Sequence, residues 1–267
     1  MMKSEWPLFD THCHLDFERI GDVAVAIQQA KAVGVEKFMV PSIGQANWGR
    51  VIELAQRFDC VTYSLGLHPY FCSSHDEVHL QVLEQHLAQR ERGCVAIGEC
   101  GLDYAVKELD KNRQQYLLDV QLGLAKRYQL PVILHQRKSH QDLIKQVKSH
   151  QLNCGGVIHG FSGSLQQAHD WLNLGFFIGI GGTITYPRAN KTRETVKRLP
   201  LESVLLETDA PDMPLFGHQG QANHPRMLLC VLKEFNNLRA ESKQTIAAQI
   251  WSKSNNLFSK CEIVRGE

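Results

Sequence analysis

Short, almost continuously apolar runs alternate along the chain with longer stretches whose apolar residues recur every three or four positions. The runs cover 7–11, 37–41, 61–66, 94–99, 131–135, 156–159, 176–179 and 204–207. Segments such as Phe38-Met39-Val40, Val132-Ile133-Leu134 and Val204-Leu205-Leu206 have no polar alternation. Strands without a polar face are covered on both sides, as in a parallel sheet flanked by helices. The stretches between them predict helices over 22–33, 112–128, 164–174, 190–199, 224–238 and 242–258. In the first, Val23, Ala26, Ile27 and Ala30 share a face and Gly34 supplies a stop. In the second, Tyr116, Val120, Leu124 and Tyr128 are in helical register, and the third opens at a capping serine, Ser164.

Eight strand–helix units with no linker, low-complexity segment or sequence repeat predict an α/β fold, a single (β/α)8 TIM-type barrel spanning 1–267. A doubly wound open sheet is the alternative, but its glycine-rich dinucleotide fingerprint and the P-loop are both missing from the sequence.

Charge narrows the function. With 29 Lys and Arg against 28 Asp and Glu, mixed along the chain, the net charge is +1. That excludes an all-over basic nucleic-acid binder while leaving room for a local basic rim. The eight cysteines form no Cys-x-x-Cys pair, and Cys60, Cys94 and Cys154 stand where strands begin, as small apolar residues do. Residues 1–6 lack an apolar signal region and no run of 18 apolar residues occurs. The expectation is a cytoplasmic protein that engages no membrane and needs no obligate protein partner.

The chemistry gathers at the strand ends. In a (β/α)8 barrel the loops after the strands converge over the C-terminal mouth, where active sites form. The first run ends in Asp10-Thr11-His12-Cys13-His14, a His-x-His whose two rings share one side of an extended segment. The third ends at His68, the fourth at Glu99, the fifth at His135 with Arg137 beyond, the sixth at His159 and the eighth at Glu207-Thr208-Asp209. Singly, each has a structural reading: His68 as a loop histidine, Glu99 as a partner of Arg137, His135 and His159 as hydrogen-bonded core histidines, Asp209 as a helix cap. Together they place six ionisable strand ends among apolar walls, which is costly unless they hold a cation or pair with one another. Histidine nitrogens with carboxylate oxygens suit Zn²⁺, Mn²⁺, Ni²⁺ or Co²⁺, and Mg²⁺ if carboxylates and water dominate. The set is large enough for two ions about 4 Å apart, bridged by a carboxylate and a hydroxide. Glu99, central in strand order, is the candidate bridge. Lys138 falls in the loop, so a carboxylated-lysine bridge is not expected.

The stretches 10–16, 66–69, 97–104, 130–135, 157–163 and 206–211 resemble those of the TatD family of metal-dependent hydrolases, nearly end to end. The segments 160–167 and 181–189 resemble its YjjV-like branch. The resemblance implies that His12, His14, Glu99 and Asp209 hold one divalent ion and Glu99, His135 and His159 a second. It also implies a phosphodiesterase, with DNA as the substrate class. Two positions depart from the family pattern: Tyr70 stands where many members place a histidine and Gly160 where many have cysteine, and neither change removes a ligand.

On this reading Asp209 accepts a proton from the attacking water. His68 and Arg137 bind the phosphate, and Glu207 orients a ligand histidine. Arg188, Lys191 and Arg193 either extend the phosphate grip or form an ordinary solvated helix start. Phe71, Phe161, Tyr186 and Phe216 either line the rim or pack loops. A modest net charge favours single-stranded or short DNA over long duplexes. The alternative enzyme is a metal-dependent barrel hydrolase of a carboxylic ester, amide or lactone. A third reading is a metal-binding protein without turnover.

Overall fold

The computed structural model of the protein describes residues 3–89 and 91–259. The eight strands are β1 (Leu8–Asp10), β2 (Val35–Pro41), β3 (Val61–Leu65), β4 (Cys94–Asp103), β5 (Val132–Arg137), β6 (Gly156–Ile158), β7 (Phe176–Ile180) and β8 (Val204–Leu206). They pair in parallel in chain order from β1 to β8. Thr11 bridges the remaining seam: its backbone N–H and its hydroxyl both donate to the Leu206 carbonyl, at 3.1 and 2.9 Å. The nearly closed (β/α)8 barrel rules out the open-sheet alternative.

The helices are α1 (Val23–Ala32), α2 (Gln45–Arg57), α3 (Glu77–Gln89), α4 (Lys111–Tyr128), α5 (His140–His150), α6 (Leu165–Leu172), α7 (Asn190–Arg198), α8 (Leu228–Leu238) and α9 (Lys243–Ser259). Asp22 caps α1, Asp110 caps α4, and Ser164 forms a capping box with Gln167 on α6. The sequence pattern did not single out α2, α3 or α5. The residues before α8 form a 3-10 turn, Pro225–Met227, rather than helix. In α4 the buried residues are Gln114, Leu117, Leu118, Gln121, Leu122, Leu124 and Ala125, while Tyr116 is exposed. Of the register predicted for that helix, Leu124 is buried and Val120 and Tyr128 pack against the core, so Tyr116 alone of the four turns outward.

One apolar cluster fills the layer between strands and helices. A second lies in the lumen, where Phe9, Met39, Val95, Ile133, Val157 and Leu205 meet Leu257 and Phe258 of α9. Phe258 packs on Phe9 with ring centroids 5.8 Å apart, so α9 plugs the N-terminal end of the barrel. Side chains two apart on a strand share a face. One step above Ile133, Val157 and Leu205 come His135, His159 and Glu207, and the lumen changes from apolar to ionisable within one layer.

Candidate metal centre

Glu99 stands at the middle of the mouth. Its backbone N–H donates to Ser42 O at 2.8 Å, and Gly98 and Gly101 flank it at φ 141° and 142°. A Cβ at Gly101 would lie 2.1 Å from His135 O, and one at Gly98 2.6 Å from Ile133 O. Only glycine lets β4 press this close to β5. The Glu99 carboxylate is buried and its two oxygens face different partners.

Glu99 Oε2 lies 3.3 Å from His12 Nε2 and 3.7 Å from His14 Nε2, and Asp209 Oδ1 lies 3.4 and 3.7 Å from the same two nitrogens. Glu99 Oε1 lies 2.7 Å from His159 Nε2 and 3.0 Å from His135 Nδ1, and those two nitrogens are 3.2 Å apart. Two ligand atoms each about 2.1 Å from one ion are roughly 3.4 Å apart at a tetrahedral angle and 3.0 Å at a right angle. Both groups match such spacings. His12 supplies a further sign: both ring nitrogens are buried, and neither makes a hydrogen bond despite the nearby carboxylates. A buried ring that finds no protein partner fits a ligand better than a core histidine.

Asp209 reaches the cluster from a left-handed residue, φ 56°, a conformation aspartate tolerates better than most. Its N–H donates to His12 O at 2.9 Å, locking the end of β8 to the end of β1. Burial raises its carboxyl above the ordinary range, against the pull of His159 and His14. Burial also raises Glu99, but the surrounding His159, His68 and His12 outweigh it and hold that carboxyl well below the usual range. Burial lowers His159, yet Glu99 overrides it and lifts the ring to about 10.

The family model described as TatD related DNase matches residues 9–259. The chain belongs to the TatD family. It is 49% identical over 251 residues to the uncharacterized metal-dependent hydrolase YjjV of Escherichia coli K12, covering 94% of this chain and 97% of that one. An uncharacterized metal-dependent hydrolase of Haemophilus influenzae is 40% identical over 259 residues, covering 94% and 99%. The crystal structure of YjjV, a TatD homolog from E. coli K12, superposes with a TM-score of 0.93 at 48% identity, covering 94% and 98%. This TatD chain is a metal-dependent hydrolase.

In this TatD barrel the six candidate ligands His12, His14, Glu99, His135, His159 and Asp209 come together. His68 joins them more closely than a phosphate binder need: its Nε2 is 3.0 Å from Glu99 Oε1. The Tyr70 N–H donates to His68 Nδ1 at 3.1 Å, so the ring proton sits on Nε2 and points at Glu99. Burial lowers this ring to about 4, which keeps it neutral and in that tautomer. Arg137 stands further out, its side chain 53% exposed and one guanidinium nitrogen 3.0 Å from Asp103 Oδ2. Glu207 makes no hydrogen bond to a ligand histidine among the described residues, though its charge acts on His159. It accepts the Gly160 N–H, while its Oε2 and the Nδ1 of His159 are both without a partner. Of the rim aromatics, Phe71 and Phe216 are exposed, whereas Phe161 is buried.

Asp103 and Asp10 support the cluster from behind. Asp103 Oδ2 accepts His135 Nε2–H at 3.1 Å and orients the ring with Nδ1 toward Glu99 and His159. Asp10 accepts the Thr208 hydroxyl at 2.6 Å and the Thr208 N–H at 2.9 Å, fixing the residue before Asp209. Asp103 escaped notice because β4 was expected to end at Glu99; it runs four residues further, beside β5.

Proposed function

We propose that this chain is a divalent-metal-dependent phosphodiesterase acting on short or single-stranded DNA, with the whole of 1–267 working as one hydrolase barrel. The observation that carries the reading is the division of Glu99. One oxygen faces His12 and His14, with Asp209 across from them, and the other faces His135 and His159. A carboxylate so divided suits two ions, one held by His12, His14, Glu99 and Asp209 and the other by Glu99, His135 and His159. The nitrogen and oxygen donors fit Zn²⁺, Mn²⁺, Ni²⁺, Co²⁺ or Mg²⁺. When bound, such ions supply an activated water and positive charge opposite the phosphoryl oxygens.

The chain's own residues do the rest. Asp209 Oδ1 takes the proton of the attacking water. The water oxygen forms the new bond to phosphorus, the bond to the departing strand breaks, and the proton passes to that strand's oxygen. His68 donates its Nε2–H to Glu99 and holds that carboxylate in place at the edge of the site. Asp103 fixes His135 and pins one edge of Arg137, whose remaining N–H groups are free to grip a phosphate. The seven cysteines among the described residues are free thiols, which supports a reducing cytoplasm. Among the described residues no helix is long and apolar enough to cross a membrane.

The test is hydrolysis of bis(p-nitrophenyl) phosphate and of a short single-stranded DNA by apo-protein titrated with Mg²⁺, Mn²⁺, Zn²⁺ and Co²⁺. Metal-dependent cleavage of both is expected. Turnover confined to carboxylic esters, amides or lactones would replace this reading with that of another barrel hydrolase, and metal binding without any turnover would end it.

A further inference from the structure

Beside the Glu99 cluster, between the end of β5 and the start of α7, lies a cavity of about 320 Å³ with His159 in its wall. Its lining carries three cationic side chains, Arg137, Lys138 and Lys191, and no aspartate or glutamate. Arg137 shares its charge with Asp103, but Lys138 and Lys191 have no ion-pair partner among the described residues. Cations gathered without a counter-ion repel one another, and an anionic ligand relieves that repulsion.

The backbone and a side-chain network hold this wall in place. Lys138 sits at φ 53°, a backbone that residues other than glycine seldom adopt, and the next residue, Ser139, donates its hydroxyl to Leu102 O at 2.7 Å. Gln136 is oriented from behind. The indole N–H of Trp171, which can only donate, lies 3.0 Å from Gln136 Oε1, and His140 Nδ1 meets the same oxygen at 3.2 Å. Asp170 Oδ2 holds the far side of His140 at 2.9 Å. With its oxygen committed to the helix layer, Gln136 has its amide NH2 left for the cavity it lines. This edge has no protein partner among the described residues.

We infer that this cavity is a subsite for a second phosphate of the substrate. The phosphate next to the scissile one on a nucleic-acid strand is held by Lys138, Lys191 and the Gln136 amide, with Arg137 between it and the metal centre. The inference rests on the phosphodiesterase reading for which phosphate is cut. It sharpens the substrate class to strands bearing a phosphate beyond the bond being broken, since a simple ester or lactone offers these cations no second anion.

The experiment uses Mn²⁺-loaded full-length protein and the thymidine dinucleotides TpT, pTpT and TpTp, alongside calorimetric binding of thymidine 3′,5′-bisphosphate, which requires no turnover. One phosphorylated dinucleotide should be preferred over TpT in kcat/KM by about tenfold, and the double variant Lys138→Ala/Lys191→Ala should lose that preference. The variant's bisphosphate affinity should fall by a similar factor, with a shallower dependence on salt. Cleavage of all three dinucleotides at one rate, or an unchanged preference and bisphosphate affinity in the variant, overturns the subsite and leaves the phosphodiesterase reading standing. Lysine-dependent bisphosphate binding without turnover of any dinucleotide supports the anion site and overturns the phosphodiesterase reading instead.

Discussion

Along β5, Ile133 and His135 point into the lumen one step apart. Ile133 lies with Phe9, Met39, Val157, Leu205 and the plug residues Leu257 and Phe258, whereas His135 stands within 3.2 Å of a carboxylate and a second histidine. The same step separates Val157 from His159 and Leu205 from Glu207. The lower layer is held by non-directional burial, and other apolar side chains of similar volume would serve there at modest cost. The upper layer depends on particular atoms: a Glu99 with two occupied faces, an Asp103 that sets a tautomer, an Asp10 that anchors Thr208. The N-terminal end therefore governs stability and the C-terminal end governs chemistry, as in other barrels.

Substitutions at either end should separate these two roles. The largest effect belongs to the mouth: Asp209→Asn should lower kcat by about 10³-fold, within the range for losing a proton acceptor. Its circular dichroism spectrum should stay that of the wild type, and near-normal turnover at matched metal content would remove Asp209 from that role. Next comes the plug. Phe258→Ala should cost about 3 kcal/mol in urea unfolding, while activity per folded molecule stays within twofold of wild type, roughly the outcome for a packing residue remote from chemistry. A large loss of specific activity there would mean that the two ends are coupled.

Asp103→Ala should act in between, weakening metal affinity about tenfold, the lower end for loss of a ligand's hydrogen-bond partner. Elemental analysis after dialysis against graded chelator would reveal it, and unchanged metal retention would leave His135 oriented by something else.

The smallest effect is on pH. Burial lowers His75, beside His68 in the mouth, to about 4, so its ring is neutral when folded, whereas the unfolded ring titrates near 6.5. Its contribution to stability is complete above the unfolded value and is lost as pH falls from about 6.5 toward 4. In apo-protein, His75→Gln should flatten the decline in urea midpoint over that window, and an unaltered slope would assign the decline to other groups.

Much of this division was legible in the amino-acid sequence. The apolar runs marked the strands because both faces are covered, and the ionisable residues closing six of them marked the mouth. What stayed hidden depended on length and on facing. The extension of β4 past Glu99 runs through Gly101, which has no side chain to continue the apolar run and serves here as a point of close approach. On α4 only Tyr116 departs from the expected face: its ring is apolar enough to suggest burial, while its hydroxyl reaches Glu77 at the surface. Glu207 was placed one contact away from its true partner, since spacing along a strand does not say which oxygen meets which donor. His68 was correctly placed at the mouth, but its tautomer depends on the Tyr70 backbone N–H.

The seam between β1 and β8 has a consequence for how the protein is made. Asp10 meets Thr208 across 198 positions of sequence, and His12 and Asp209 approach to 3.4 Å across the same join. A chain emerging from the ribosome presents its His-x-His long before the opposing carboxylate, which follows only after the intervening strands and helices have been made. Until then the growing polypeptide lacks one wall of the cluster, so prematurely terminated products ending before β8 carry histidines but no complete hydrolytic centre.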